Sequence, residues 1–429
     1  MSLRNRELLN LVVVGALTGI GFAGVYLASQ DVPEFSTTSL SYAAFFLGLF
    51  LAAHVALRTR LPLADPYLLP ITGILTVLGL TMIYRIDPDL AFRQGIWVVV
   101  GIAVFALVVL FLRDHRSLDA VKYTLAIAAI GLLALPALPG FGATINGATL
   151  WVRIGPVAFQ PGEFAKVLLV VFLAGYLRDN RELLSLGFGR AGMPSPKHFG
   201  PLLLIWGGAM LVLLQTNDLG GGLLLFSIFL AMLYVATGRW QYVAIGIVLF
   251  ALGAWGVYQQ ADHVADRISI WLDPWADPQG DGYQLVQSIY SIAAGGLFGT
   301  GFGEGVLVTP QGGTYIPYLE TDFIYSAIAQ ELGLAGATAV VLLYFVFLYR
   351  GFRIAMTADD GFSKLVAAGL TATLAIQAFI IIGGVSGLIP LTGITLPFVS
   401  YGGSSIVANF ALVALLLVVS NHVNEASER

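Results

Sequence analysis

Of the 429 residues in this chain, 58% are hydrophobic and 11% charged, and the mean hydropathy is +0.85. Soluble domains carry about 25% charged residues, so the composition excludes a soluble globular enzyme and marks a protein that crosses a membrane many times. The net charge of −4 includes no basic arm or patch for nucleic acid, and the lack of cysteine excludes disulfides, cysteine zinc sites and thiol nucleophiles.

Apolar runs of about the 20 residues a bilayer needs stand near 8–28, 40–57, 67–84, 95–112, 121–138, 164–177, 200–215, 221–237, 241–258, 323–349, 365–389 and 404–421. They predict an all-α polytopic membrane protein of about twelve transmembrane helices. With the N-terminus inside, sixteen of the 21 Lys and Arg fall on inner segments. The other five are Arg85, Arg93, Arg153, Lys166 and Arg267. By the positive-inside rule both termini are expected in the cytoplasm. The first run follows RNRE without a small-residue cleavage pattern, so it reads as a retained helix rather than a signal peptide. Two outer segments stand out, 138–166 and the aromatic, Gly/Pro-rich loop 259–322 between helices nine and ten. Long loops of ordinary complexity usually carry function. The five histidines show no i, i+3 or i, i+4 pairing for a helix-borne metal site.

Charge near hydrocarbon is costly, so the charged residues at span ends are the candidates. Glu163 and Lys166, three apart at a helix start, share a face. They make either a local ion pair or a cation for an anionic substrate held in place by its acid. Asp218 lies in QTNDLGGG between two spans, either as turn chemistry or as an acid dipping into a cavity. Asp273, Asp277 and Asp281 recur every four residues, but Pro274 and Pro278 break the helix that would align them, and Asp-Pro pairs start turns. The glycines of GGLFGTGFGEG follow no strand and read as a tight loop rather than a nucleotide site. Asp322 opens the run 323–349, where it could cap the helix or act as a general base. Glu331 lies further along the same run, where it could tune such a site or pair with a neighbouring helix.

The blocks FQPGEFAK, NDLGGGLLLF, DPQGDGYQLVQSIYSIAAGGLFGTGFGEG, TDFIYSAIAQELG and GLIPLTGITLPFVSYGGSS come in one order across about residues 70–420. Together they resemble the RodA/FtsW family of shape, elongation, division and sporulation proteins, RodA-like in kind. The resemblance implies a peptidoglycan glycosyltransferase that polymerises lipid II at the outer face of the bacterial plasma membrane, beside a class B penicillin-binding protein. It implies Asp322 as the catalytic aspartate and Glu163, Lys166 and Asp218 as functional positions. Arg153, Trp151, Glu331, Ser400, Gly402, Gly403 and Ser404 join them as binding or supporting residues. Pro390, Pro397, Gly402 and Gly403 predict a re-entrant or broken turn over 390–405.

The sequence departs from the family pattern where Glu320 and Thr321 precede Asp322 in place of a histidine, where Ile381 replaces an asparagine, and where Leu150 precedes Trp151 in place of an arginine. The family core has ten spans, so residues 1–60 are expected to be two additional N-terminal helices and 61–429 the glycosyltransferase core. In the implied chemistry Asp322 takes the acceptor proton while Lys166, Arg153 or a divalent cation (Mg or Mn) answers the leaving diphosphate. The alternatives are a lipid II flippase and a non-catalytic scaffold for the penicillin-binding protein.

Overall fold

The computed structural model describes residues 2–28, 37–145, 148–155, 157–186, 196–259, 262–309, 311 and 313–428. Arg190 and Arg429, two of the sixteen inner cations counted above, lie outside the described residues. The helices in chain order are α1 (Leu3–Ala28), α2 (Thr37–Arg60), α3 (Leu68–Ile86), α4 (Pro88–Phe111), the single turn α5 (Ser117–Ala120), α6 (Lys122–Ala134), α7 (Gly162–Asp179) and α8 (Arg181–Leu186). There follow α9 (Pro196–Gln215), α10 (Leu219–Thr237), α11 (Trp240–Tyr258), α12 (Asp262–Leu272), α13 (Tyr283–Ala294), α14 (Ile324–Thr357), α15 (Gly361–Val385) and α16 (Gly403–Glu428).

Among the described residues, eight of these helices are long and apolar enough to span a membrane, and the α6, α9 and α11 segments are shorter apolar helices. With α7, which carries Glu163, Lys166, Arg178 and Asp179 at its two ends, they match the twelve expected runs. The largest departures are at ends. α4 begins at Pro88 because Asp87 caps it, accepting from the Asp89 and Leu90 amides, with proline in the first turn. α14 runs on to Thr357 and α16 to Glu428, since polar residues extend a helix into water as readily as apolar ones.

α16 is apolar on all sides and runs through the middle of the bundle against α4, α15 and α7, as an all-round hydrophobic helix must. α14 packs on α15 and α3. α1 lies against α2 and α3, and α2 against α4, so Leu11, Phe22, Phe46 and Phe50 share one apolar core with the later helices. A buried polar knot ties this hairpin down. Arg4 bonds Glu7 at 2.5 Å and the Ala64 carbonyl, and His54 Nδ1 lies 2.6 Å from Glu7 Oε1.

The helix ends fall on two faces. The termini face carries the start of α1, the α2–α3 and α14–α15 junctions and the end of α16. The loop face carries 138–161 and 259–323. The fold is helical as expected, and the small sheet beside the helices lies there, 142–159 forming three antiparallel strands, β1 (Gly142–Ile145), β2 (Ala148–Ile154) and β3 (Val157–Phe159), in the order β1-β2-β3. Its β-branched residues suit a pleated, half-exposed surface better than a helix. The 259–322 loop is also more ordered than a turn-rich reading implies, since it contains α12 and α13. Between them the aspartates do build turns. Asp273 accepts from the Trp275 amide, and Asp277 from those of Gly280 and Asp281.

Candidate active site

The segment 386–402 joins α15 to α16 without helix, as the prolines require. A segment with few internal backbone bonds inside a bundle needs partners from its neighbours, and side chains from four helices supply them, the Trp271 indole of α12 donating to the Gly387 carbonyl at 3.1 Å. From α15, Gln377 Nε2 donates to the Thr395 carbonyl at 2.9 Å. From α4, Gln94 Nε2 donates to the Ser400 carbonyl at 3.3 Å, and Gln94 Oε1 accepts from the Gly402 amide at 3.1 Å. From α14, the Tyr344 hydroxyl donates to the Pro397 carbonyl at 2.5 Å. Inside the segment Ser400 Oγ accepts from the Leu396 amide and Thr395 Oγ1 donates to Ser405 Oγ.

Ser404 accepts from the Gln160 amide at 2.8 Å and so fixes the entry to α7. Gly403 is the first residue of α16 rather than part of the break. A Cβ there would stand 2.3 Å from the Trp97 ring, so glycine is what lets α4 approach. Ser400, Gly402, Gly403 and Ser404 thus hold the segment in shape.

Glu163 and Lys166 are buried, with Lys166 Nζ 2.6 Å from Glu163 Oε2 and 2.7 Å from Gln377 Oε1. A single polar chain therefore runs from α7 through α15 to the backbone of the re-entrant segment. The lysine charge is already answered by its own helix neighbour.

Asp322 is half-buried and, of its two readings, is not the helix cap. α14 starts at Ile324, and Phe323 at its cap position makes no side-chain cap bond. The carboxyl instead faces the re-entrant segment, and a Cβ on Gly393 would lie 3.8 Å from its Oδ2. The Tyr401 amide bonds the Glu320 carbonyl at 2.8 Å, joining the turn that carries Asp322 to the end of the segment. Burial pushes the Asp322 carboxyl up to about 6; the Thr321 hydroxyl and the positive charge of Arg267 oppose this, and Glu320 reinforces it.

Asp218 is both things the sequence allowed. It caps α10, accepting from the Gly221 amide at 2.7 Å, and it lines a cavity. Burial raises it to about 6 as well, with Glu163 adding to the rise and Arg267 opposing it. The cavity, about 1020 Å³, opens between α9, α10, α11 and α15. Its walls are apolar, among them Trp206, Met210, Phe226, Phe250 and Phe379, while Asp218, Arg267 and Pro390–Thr392 lie along it. Thr392 is the neighbour of Gly393, so this lining leads directly to Asp322.

Arg267, on α12, is the one cation whose charge reaches both raised aspartates among the described residues. Sequence reasoning left it as one outer charge among five, because nothing local marks a loop arginine as facing two acids from other elements. Gln94 and Gln377 were missed for the same reason. Glu331 does not join Asp322. It is buried against Arg85 of α3 at 3.3 Å and accepts from the Gly303 amide. Trp151 and Arg153, two apart on β2 and so on one face of the strand, are half-buried and exposed respectively, opposite Ala143 and Ala158. Among the described residues no three His, Asp or Glu side chains gather as a metal site.

The chain is 45% identical to the peptidoglycan glycosyltransferase RodA of Mycobacterium tuberculosis, an alignment covering 97% of this chain and 90% of that protein. It is 35% identical to the stage V sporulation protein E of Bacillus subtilis, over 85% of this chain and 99% of that one. Among solved structures, a chain of a peptidoglycan synthase complex that coordinates polymerization and crosslinking superposes with a TM-score of 0.69 at 29% identity, covering 84% of this chain and 98% of that chain. The rod shape determining protein RodA of Thermus thermophilus gives 0.61 at 27% identity, covering 83% and 96%. The profile of the FtsW/RodA/SpoVE cell cycle protein family matches residues 63–425, and the chain, a multi-pass membrane protein, belongs to that family.

Proposed function

We propose that this chain is a peptidoglycan glycosyltransferase that joins lipid-linked sugars at Asp322, with its loop face outside the cell and both termini in the cytoplasm. The observation that carries the reading is a raised, half-buried carboxyl beside the re-entrant segment, next to an apolar cavity with charge at Asp218 and Arg267. The apolar walls suit a polyprenyl chain, and the charged end suits its diphosphate. Asp322 accepts the proton of the acceptor sugar hydroxyl as that oxygen bonds the anomeric carbon of the donor. The bond from that carbon to the diphosphate oxygen breaks, and the polyprenyl diphosphate leaves with the negative charge. Such a one-step displacement inverts the anomeric centre and needs one base, not the two carboxyl groups of a retaining glycosidase.

Arg267 is the cation best placed to answer the departing diphosphate. Lys166, neutralised by Glu163, serves instead to hold Gln377 and the segment. A divalent cation would arrive with diphosphate oxygens as ligands. Arg153 and Trp151 on β2 offer a further charged and aromatic contact for the sugars. The substrate is taken to be lipid II, the partner a class B penicillin-binding protein, and residues 1–60 a docking addition to the 61–429 core. A flippase would need polar lining along the length of the cavity, whose walls are apolar.

The test is polymerisation of labelled lipid II by the purified chain with its cross-linking partner. Asp322→Asn should fold as the wild type does and lose at least about 100-fold in rate, the usual contribution of a positioned base. Undiminished polymer from that variant would move the base elsewhere.

A further inference from the structure

α14 is 34 residues long, but Gly333 interrupts it with φ 66° and ψ −167°. The part after the break, 334–357, is about 36 Å long at 1.5 Å per residue, enough to cross the roughly 30 Å hydrocarbon layer. The part before it, 324–332, lifts Asp322 about 14 Å above the break along the axis. Leu334, Leu342, Phe345 and Tyr349 are exposed on one side of the spanning part, with Leu334 at 61%. Their spacing, eight, eleven and fifteen residues from Leu334, returns them to one face of a 3.6-residue helix, the lipid-facing one.

The glycine-rich loop 295–305 is seated in the break. The Leu334 amide donates to the Gly296 carbonyl at 2.9 Å and the Ala335 amide to the Leu297 carbonyl at 3.1 Å. In return the Thr300 and Gly301 amides donate to the Gln330 and Glu331 carbonyls. A Cβ on Gly333 would lie 2.2 Å from the Gly299 nitrogen, so the contact exists only because both residues are glycine. Glu331 and Arg85 fasten the far side. Arg85 donates to the Gly303 carbonyl at 2.7 Å and the Gly305 carbonyl at 3.1 Å. Irregular backbone at membrane depth is stable only where protein satisfies it, and here the loop and the broken helix satisfy each other.

At the tip of this clamped loop, level with Leu334, Leu297 and Phe298 point outward, Phe298 with 79% of its surface exposed. They continue the lipid-facing side of α14 by direct backbone bonding to it. We propose that Leu297 and Phe298 form a wedge inserted into the bilayer leaflet on the loop face, anchoring the 259–322 loop at a fixed height. The occupant of this surface is lipid, and the anchor sets the level of Asp322 relative to the headgroups.

The chain has no cysteine, so Phe298→Cys in the full-length protein takes a single nitroxide label. Power-saturation EPR in phospholipid nanodiscs then compares oxygen, which partitions into lipid, with a water-soluble nickel chelate. Leu342→Cys on the lipid face of α14 and Asp281→Cys on an exposed turn are the references. The label at 298 is expected to relax several-fold more with oxygen than with nickel, as at 342. Nickel access equal to that at 281 would overturn the wedge by placing the tip in water. Protection from both reagents would overturn it by showing that protein covers the tip.

Discussion

The acids of the two faces are treated differently. On the termini face Asp65, Asp119, Asp179 and Asp360 are paired. Asp119 and Asp179 are shared between Lys122 and Arg178, with Arg178 2.8 Å from Asp119. Asp360 meets Arg116 at 2.8 Å, and Asp65 meets Arg350, whose guanidinium also lies over the Tyr67 ring. On the loop face Glu163 and Glu331 have cations of their own, but no ion pair among the described residues includes Asp218 or Asp322. A paired acid fastens one helix to another. An acid buried without a pair holds its proton more tightly, is unfavourable for folding when ionised, and persists where that tuning serves chemistry. The contrast separates Lys166, a holder, from Asp322, a reactant.

The strongest way to break this comparison is at Lys166. Lys166→Met leaves Glu163 buried and unpaired, and should cost about 3–5 kcal/mol of stability, read as a lower unfolding temperature in detergent. The double variant Glu163→Gln with Lys166→Met removes both charges and should recover most of that stability and much of the activity. A stable but inactive double variant would instead make Lys166 a substrate contact.

Next comes pH. Because Asp322 is raised to about 6, its base form is lost as pH falls through that value. Polymerisation should therefore climb between roughly pH 5 and 7. Arg267 opposes the rise, so Arg267→Gln should move the acid limb to higher pH as well as slow the reaction. An unmoved limb would detach Arg267 from Asp322.

A smaller effect is expected at Gln377. Replacing it with Leu deprives Lys166 and the Thr395 carbonyl of a partner each, at about 1–3 kcal/mol. The rate should fall through loss of segment geometry while the acid limb stays in place. The smallest belongs to Arg116→Ala on the termini face, where an exposed pair contributes at most about 1 kcal/mol and polymerisation should be unchanged.

The twelve helices were legible in the sequence because a bilayer imposes a length and a composition on every span, and both are local properties. The break at 386–402 was legible for a similar reason, since Pro390 and Pro397 with the glycines near them disfavour helix locally. Short-range motifs also carried the resemblance, and with it Asp322, Asp218, Glu163 and Lys166 as positions of interest. Their roles were not legible. Glu163 neutralises Lys166 locally, but that the ammonium is also spent on holding the segment depends on Gln377, 211 residues away. Whether Asp322 caps a helix or faces the active segment depends on Gly393, and the cation shared by the two aspartates comes from a helix in what read as a loop. The sheet at 142–159 and the clamp of 295–305 on Gly333 rest on pairings between separate segments. The sequence alone determined where the chain crosses the membrane, because the solvent sets that residue by residue. Only the tertiary structure decided which charges are neutralised and which remain for chemistry, because that depends on what distant segments bring within hydrogen-bonding reach.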